Sequence, residues 1–328
     1  MRRRDFITLL GSTAAWPLAA HAQQGERMRR IGVLMNLAED DPPTKARVAA
    51  FRQGLEKRGW SDGRNVYFDY RFTASMAERI PAVAKELVGL QPDVILAQST
   101  VATAALQQQT RAIPIVFVNV SDPIGSGFIE SLSRPGGNIT GLLHIEASIV
   151  GKWLAMLKQI APRLARATLL ANSKTVPYDY FMRSGQAIAQ SLGIELVPGS
   201  VENAADIERA IESIARMPDS GLILPPDSLT ITHRDLIIAL AARHRLPAVY
   251  PLHDFVVAGG LMSYGADQSD MFRLAAFYID RILRGDKPAE LPVQAPTKFE
   301  TAINLRTAKA LGLTMPANLL VAADEVIE

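Results

Sequence analysis

The chain has no cysteine among its 328 residues, and this absence excludes several kinds of chemistry. It can form no disulfide, it offers no thiolate nucleophile, and it cannot carry a lipid anchor on a cysteine. A cofactor-independent racemase that works through a pair of thiols is excluded for the same reason.

The sequence also lacks an excess of charge of one sign. Its 35 basic and 33 acidic residues give a net charge of +2, and residues 1–22 account for that difference with three arginines and one aspartate. The remaining 32 basic and 32 acidic residues cancel, so the rest of the chain is neutral. We therefore expect no nucleic-acid partner, because proteins that bind nucleic acids carry an excess of basic residues on the binding surface.

Motifs that bind phosphates or metals are missing as well. The segment after the first predicted strand, residues 36–40, contains no Gly-x-Gly-x-x-Gly, and the chain has no Walker A motif. His233, His244 and His253 fall on different predicted elements, which argues against a shared metal ion. We expect no cofactor and no metal.

A catalytic site has little support. Ser99, Ser121, Asp122 and His144 include the residue types of a catalytic triad, but no Gly-x-Ser-x-Gly turn is present to expose a nucleophile. The sequence therefore predicts a binding protein rather than an enzyme.

The N-terminus is typical of an export signal. Arg3 and Arg4 form a twin-arginine pair, an apolar stretch follows over residues 6–20, and residues 20–22 have the small-x-small form of a cleavage site. The apolar stretch is too short to span a bilayer. We expect a signal peptide over residues 1–22, cleavage after Ala22 and a location in the periplasm.

Strands and helices alternate along the rest of the chain. Apolar runs predict strands over 30–35, 66–71, 94–97 and 113–120, and helical spacing predicts helices between them. A second series of the same units begins at residue 148. Short connections favour parallel sheets covered by helices. The sequence therefore predicts an α/β protein with two doubly wound parallel-sheet lobes and a ligand cleft between them.

Residues 113–142 place polar groups at the end of a buried strand. The apolar run over 113–120 must end by Pro123, which has no N–H to donate to a sheet. Asp122 is therefore expected at the carboxyl edge of the sheet, where such folds bind ligands. Its carboxylate suits a ligand's ammonium group, or it caps the turn before Pro123 as an Asx turn.

The same stretch carries two motifs, DPIGSG and PGGNITG, and the C-terminal part contains LMSYGAD, RILRGDKPAELPVQ and INLRTAKALGL. Together these segments resemble the ABC-transporter substrate-binding proteins of the tryptophan/tyrosine-binding type. The resemblance implies a type I periplasmic binding protein. Its lobe 1 would comprise residues 29–143 plus about 266–286, and its lobe 2 residues 144–265 plus about 287–328.

Eight residues are candidates for contact with a ligand. Ser99 and Thr100 begin a predicted helix, whose free N–H groups suit a carboxylate, although a hydroxyl there also caps the helix. Asp227 lies in PPDS, which resembles a turn of the family, and it too can cap a helix. Tyr250 and Tyr264 could wall an apolar side chain or belong to the core. The full set is Asn36, Ser99, Thr100, Asp122, Asp227, Tyr250, Ser263 and Tyr264.

The resemblance implies the extracytoplasmic solute-binding component of an ABC importer. It would be a monomer that captures a small molecule by lobe closure, an aromatic amino acid or related carboxylate, and delivers it to an ABC permease in the inner membrane. Two alternatives stay open: a sensory module that presents its ligand to a membrane receptor, and a cofactor-independent enzyme.

Overall fold

The structure is a computed structural model and describes residues 27–328. The predicted signal peptide lies outside the described residues. Strands and helices alternate through the described chain. None of its helices combines the length and the apolar character that crossing a lipid bilayer requires.

The strands are β1 Arg29–Met35, β2 Val66–Phe72, β3 Val94–Gln98, β4 Ile115–Val120, β5 Ile139–Leu143, β6 Arg166–Ala171, β7 Glu195–Ser200, β8 Ser220–Ile223, β9 Ala248–Tyr250, β10 Met262–Ala266, β11 Phe299–Asn304 and β12 Glu325–Ile327. The helices are α1 Pro42–Glu56, α2 Ile80–Gly89, α3 Thr100–Gln109, α4 Ile149–Ile160, α5 Tyr178–Ser191, α6 Ala204–Ala215, α7 Ser228–Thr232, α8 Arg234–Arg243, α9 His253–Val257, α10 Gln268–Leu283, α11 Leu305–Leu311 and α12 Ala317–Ala322.

The first sheet contains β1 to β5 in the order β2-β1-β3-β4-β5, and all its pairs are parallel. β3, β4 and β5 are buried along their whole length, as expected for strands covered on both faces. The strand order reverses between β1 and β3. In such sheets the crevice for a ligand lies at the carboxyl ends of the strands beside that reversal.

The second sheet has the order β12-β11-β10-β9-β8-β6-β7. Its strands are parallel except for β10 and β11, which pair antiparallel with Ala266 opposite Phe299. The chain leaves this sheet at the end of β10, and it returns to the sheet next to that end to begin β11. The two strands therefore run in opposite directions. The predicted two-sheet α/β fold is confirmed, and this reversal is a detail that the sequence pattern did not indicate.

Helix α10 follows β10 but packs against α1 and the first sheet. The two helices approach closely, since a Cβ added at Gly54 would lie 2.7 Å from the Cβ of Ala276. After α10 the chain stays with the first sheet as far as Gln294, whose N–H donates to Gly141 and whose carbonyl accepts from Leu143. The chain thus passes between the sheets three times: after β5, after β10 and after Gln294.

The three crossings contact one another. The N–H of Asp267 donates to the carbonyl of Lys298 at 3.1 Å, which joins the second crossing to the third. The side chain of Gln268 lies 3.2 Å from the imidazole of His144, which joins the second to the first. The three segments that connect the two sheets therefore lie side by side.

Two predicted elements differ from the structure. The sequence pattern predicts one helix over residues 230–243, but the structure interrupts it at His233, whose dihedral angles (φ −101°, ψ 24°) separate α7 from α8. The sequence pattern also predicts a strand over residues 259–265 with glycines at both ends. In the structure this strand begins only at Met262, because residues 253–257 form α9 and Gly259 turns the chain with a φ of 107°.

Candidate binding cleft

A cleft lies between the carboxyl ends of the two sheets. Its walls come from the segments that follow β3 and β4 on one side and β6 and β8 on the other. The lining residues are Gln98, Ser99, Thr100, Val101, Asn119, Ser121, His144, Thr175, Val176, Pro177, Pro226, Asp227, Ser228 and Ile231. In this closed arrangement the cavity measures about 20 Å³, room for roughly one water molecule. A ligand larger than a water molecule therefore does not fit between the lobes in this arrangement.

The cleft presents mostly polar, uncharged groups. None of the described residues that line it is Lys, Arg, Phe, Tyr or Trp, and Asp227 is the one carboxylate among them. A ligand's carboxylate would therefore be held by backbone N–H and hydroxyl groups rather than by an ion pair. The apolar part of the lining is aliphatic: Val101, Val176, Pro177, Pro226 and Ile231.

Helix α3 begins at the cleft. Ser99 is its N-cap, since its Oγ accepts the N–H of Ala102 at 3.4 Å. The N–H groups of Thr100 and Val101 belong to the first turn, where a helix leaves its donors without intrahelical partners. Ser99 has a φ of 90°, and backbone strain of this kind is concentrated at functional sites. The predicted pair Ser99 and Thr100 thus lies where it can bind an anionic group.

Asn119 lies near the end of β4 in a β-bulge. The register between β4 and β5 shifts between Val118 and Val120, so Asn119 falls out of the regular pairing. Its φ of 63° is left-handed, a conformation that asparagine adopts more readily than most residues. The bulge allows a polar side chain to reach the cleft from an otherwise apolar strand.

His144 forms the floor of the cleft at the first crossing. Burial, aided by the positive charge of Arg47, lowers the pKa of its imidazole to about 3. The ring is therefore neutral at physiological pH. The Nε2 atom of Gln268 lies 3.2 Å from Nε2 of His144. The amide must donate in this contact, so the imidazole carries its proton on Nδ1.

Asp227 joins the two loops of the second wall. Its carboxylate caps α7 by accepting from the N–H groups of Leu229 (3.3 Å) and Thr230 (3.4 Å). It also accepts from the N–H of Asn172 and the hydroxyl of Thr175, both at 3.1 Å. Burial raises the pKa of Asp227 more than these hydrogen bonds lower it. The capping alternative considered for this residue is the contact that the structure shows.

Two sets of contacts bridge the lobes at the mouth of the cleft. The hydroxyl of Ser75, after β2, lies 2.8 Å from the carbonyl oxygen of Ser228 and 2.8 Å from the hydroxyl of Thr232. Arg234, at the start of α8, pairs with Asp41, the N-cap of α1. These contacts exist only while the lobes are together, so they define a closed arrangement.

A third bridge is more deeply buried. Arg47 of α1 is 2% exposed, and its Nη2 lies 2.5 Å from a carboxylate oxygen of Asp254 on α9. Because α1 packs on the first sheet and α9 follows a strand of the second, this ion pair also spans the lobes.

Three of the predicted residues, Ser99, Thr100 and Asp227, line the cleft. Asn36 lies beside it, but its Oδ1 accepts from the hydroxyl of Thr73 at 2.7 Å. Asp122 turns its Oδ1 to the N–H of Gly125 at 2.8 Å, which is the Asx-turn alternative. Both side chains are thus engaged in holding loops at the edge of the sheet.

Tyr250, Ser263 and Tyr264 lie away from the cleft lining. Tyr250 is 1% exposed and stacks on Phe255, with 4.8 Å between the ring centroids. Ser263 is buried within β10. The hydroxyl of Tyr264 accepts from Nζ of Lys152 on α4 at 2.8 Å. Contact of these three residues, and of Asn36 and Asp122, with a ligand stays a prediction.

Sequence reasoning did not select Asn119 or Gln98, and it considered Ser121 and His144 only as parts of a triad. One signal could have found Asn119. It is the single polar residue in β4, IVFVNV, and a polar side chain inside a buried strand requires a partner.

The match to a known family covers almost all of the chain. A family model described as ABC transporter substrate binding protein matches residues 30–327. The chain belongs to this family. Within residues 27–328 of this substrate-binding protein, no three His, Asp or Glu side chains meet in a group that could hold a metal ion.

Relatives with known names or structures are similar to the chain over most of its length. A tyrosine-binding protein of Clostridioides difficile (strain R20291) is 26% identical over 288 residues, 88% of this chain and 82% of the relative. The crystal structure of a conserved domain protein from Vibrio cholerae O1 biovar El Tor has a TM-score of 0.86 at 27% identity, covering 92% of this chain and all of that one. An ABC domain from Streptococcus pneumonia, solved in complex with L-Trp, has a TM-score of 0.85 at 24% identity, covering 91% of this chain and 99% of that one.

Proposed function

We propose that this protein is the exported solute-binding component of an ABC importer and that it captures a small carboxylate, an aromatic amino acid or a related compound. The observation that carries the proposal is the cleft itself. It lies between two lobes, it is polar, and the N-terminus of a ten-residue helix, α3, opens onto it. Such a helix end stabilises an anionic group without a basic side chain.

Capture requires the lobes to move. The cavity between them is small in the closed arrangement, and the bridges at Ser75 and at Arg234 must break before a ligand can enter. We assign residues 29–143 and 267–294 to lobe 1 and residues 144–266 and 295–328 to lobe 2. The last boundary is later than the sequence predicted, because Gln294 is still hydrogen-bonded to β5.

Delivery completes the proposed role. The twin-arginine signal would bring the chain to the periplasm as a monomer, with cleavage after Ala22, and an inner-membrane permease would receive the ligand from the closed form. The names of the relatives supply the first probes, since one is called a tyrosine-binding protein and another was solved with L-Trp.

A thermal-shift screen of the chain beginning at Gln23 tests the proposal. The probes are L-tryptophan, L-tyrosine, L-phenylalanine, L-leucine and the four corresponding carboxylic acids that lack the 2-amino group. A ligand at a hundred times its Kd should stabilise the protein by about 2.7 kcal/mol, a readily measured shift.

A matched pair of variants locates the site. Val101→Trp fills the cleft, whereas Val83→Trp adds the same side chain to α2, away from the cleft. We expect the ligand's shift to persist in Val83→Trp and to vanish in Val101→Trp. No shift with any carboxylate, or an unchanged shift in Val101→Trp, would contradict the proposal.

A further inference from the structure

Asn119 carries a buried oxygen that has no hydrogen-bond partner in the described part of the chain. The residue is 9% exposed and lines the cleft. Its Oδ1 makes no hydrogen bond to any of residues 27–328. Native proteins rarely leave a buried acceptor unpaired, because the group has lost its water without a replacement. An oxygen of this kind in a binding cleft is suited to a donor on the ligand.

The orientation of the amide follows from a chain of hydrogen bonds. The carbonyl of Ala266 can only accept, so the group that faces it at 3.2 Å is the NH₂ of Gln268. The Oε1 of Gln268 therefore faces Asn119 and accepts from its Nδ2 at 2.8 Å. With its NH₂ committed in this way, the oxygen of Asn119 is the group that is left to accept a hydrogen bond from a ligand.

The same chain of hydrogen bonds reaches the crossings. Gln268 and Ala266 flank the second crossing, and Gln268 also donates to His144 in the first crossing. Asn119 itself belongs to lobe 1. A ligand that donates to Asn119 is therefore connected to the second crossing through one further hydrogen bond, to Gln268, and to the first crossing through two, by way of Gln268 to His144.

We propose that Oδ1 of Asn119 accepts a hydrogen bond from the amino group of a 2-amino acid whose carboxylate lies at the N-terminus of α3, which makes Asn119 a specificity-determining residue. This inference rests on the proposed binding of a carboxylate in the cleft. The lining residues that the structure describes include no Lys or Arg that would repel an ammonium group, and they include one carboxylate, Asp227. A neutral amide, unlike an aspartate, accepts this donor without placing a second negative charge near the ligand's carboxylate.

The test compares ligands that differ only in the amino group. Calorimetric titration measures three pairs: L-tryptophan with 3-indolepropionic acid, L-tyrosine with 3-(4-hydroxyphenyl)propionic acid, and L-leucine with 4-methylpentanoic acid. The wild type should prefer the amino acid of a binding pair by at least about tenfold, because the deaminated acid leaves Oδ1 unpaired.

The variant Asn119→Gly removes the oxygen, and glycine accepts the φ of 63°. It should reduce that preference to within about threefold. Any loosening of the crossings weakens both members of a pair equally, so the ratio of the two affinities reports the oxygen alone. Asn138→Gly is the control, because Asn138 donates to the carbonyl of Ile113 outside the cleft; it should keep the wild-type ratio.

The outcomes separate the two proposals. If both members of a pair bind the wild type equally, or if Asn119→Gly keeps the wild-type ratio, the role of Asn119 is overturned while carboxylate binding stands. If no member of any pair binds, the proposed function fails and this inference fails with it.

Discussion

Arg234 and Asp41 form an ion pair across the cleft. Nη2 of Arg234 lies 2.8 Å from Oδ1 of Asp41, and the two side chains are 17% and 16% exposed. Burial raises the pKa of Asp41, but hydrogen bonds from Arg234 and Thr44 outweigh it and lower that pKa overall. The pair joins the start of α8 in lobe 2 to the start of α1 in lobe 1, so under the proposed mechanism of lobe closure it should stabilise the closed arrangement.

Replacing Arg234 by methionine should weaken ligand binding about five- to thirtyfold. The expected cost is about 1–2 kcal/mol, between the values typical of exposed and of fully buried pairs. Calorimetric titration of the carboxylate selected by the thermal-shift screen measures the effect. Arg166→Met is the control, since its partner Glu195 is in the same lobe. Equal affinity in Arg234→Met and the wild type would show that the pair does not contribute to closure.

His144 should make the protein less stable in mild acid. Its folded-state pKa is lowered to about 3 from an ordinary value of 6.5, so the unfolded chain binds a proton at a pH where the folded chain does not. The contribution of the neutral imidazole to the free energy of unfolding is complete above pH 6.5. It is lost as the pH falls toward 3, by up to about 1.4 kcal/mol per pH unit. Urea unfolding at several pH values measures how the free energy of unfolding changes with pH. This change should be smaller in His144→Gln than in the wild type. The same change in both proteins would contradict the buried, neutral imidazole.

Gly265 in β10 has no room for a side chain. A Cβ there would lie 1.8 Å from the carbonyl oxygen of Pro251, so one of the two segments must move. Gly265→Ala should cost about 3 kcal/mol or more of unfolding free energy. Gly89→Ala is the matched control: nothing lies within 4 Å of its added Cβ, and alanine should stabilise the end of α2 by about 0.5–1 kcal/mol. Chemical denaturation measures the free energy of unfolding of both variants. An unchanged free energy of unfolding in Gly265→Ala would contradict the close contact between Gly265 and Pro251.

Much of the fold could be predicted from the sequence because its signals are local. The apolar runs of β1, β3 and β4 and the helical spacing of α1 or α10 are each complete within one segment. The antiparallel return of β11 could not be predicted in this way, because it depends on where the third crossing meets the second sheet. The short helix α9 could not be predicted in this way either, because its five residues are too few to show a helical period.

Only the part of the candidate site that depends on neighbouring residues could be predicted from the sequence. Ser99 and Thr100 directly join a strand to a helix, so their place at the sheet edge follows from neighbouring residues. The role of Asn119 depends on Gln268, which is 149 positions away in the sequence. Tyr264 turns toward α4 because Trp153 and Lys152 lie on that side of β10. Contacts of this range are set by tertiary packing, which local periodicity does not report.

Export should depend on the paired arginines. Arg3→Lys combined with Arg4→Lys should block translocation, because a twin-arginine receptor reads the guanidinium groups. Fractionation of cells that produce the variant, with the wild type beside it, measures the periplasmic share, and sequencing of the exported wild type should begin at Gln23. Undiminished export of the double variant would exclude this route.

Closure of the two lobes on a ligand can be tested with a single engineered disulfide. The hydroxyls of Ser75 and Thr232 lie 2.8 Å apart on opposite lobes, and the chain has no cysteine of its own. In the double variant Ser75→Cys, Thr232→Cys, a saturating concentration of the carboxylate should speed disulfide formation. Protein whose disulfide has formed before the ligand is added, the locked protein, should not bind the ligand until the disulfide is reduced. An unchanged rate of disulfide formation, with full affinity in the locked protein, would contradict binding between the lobes.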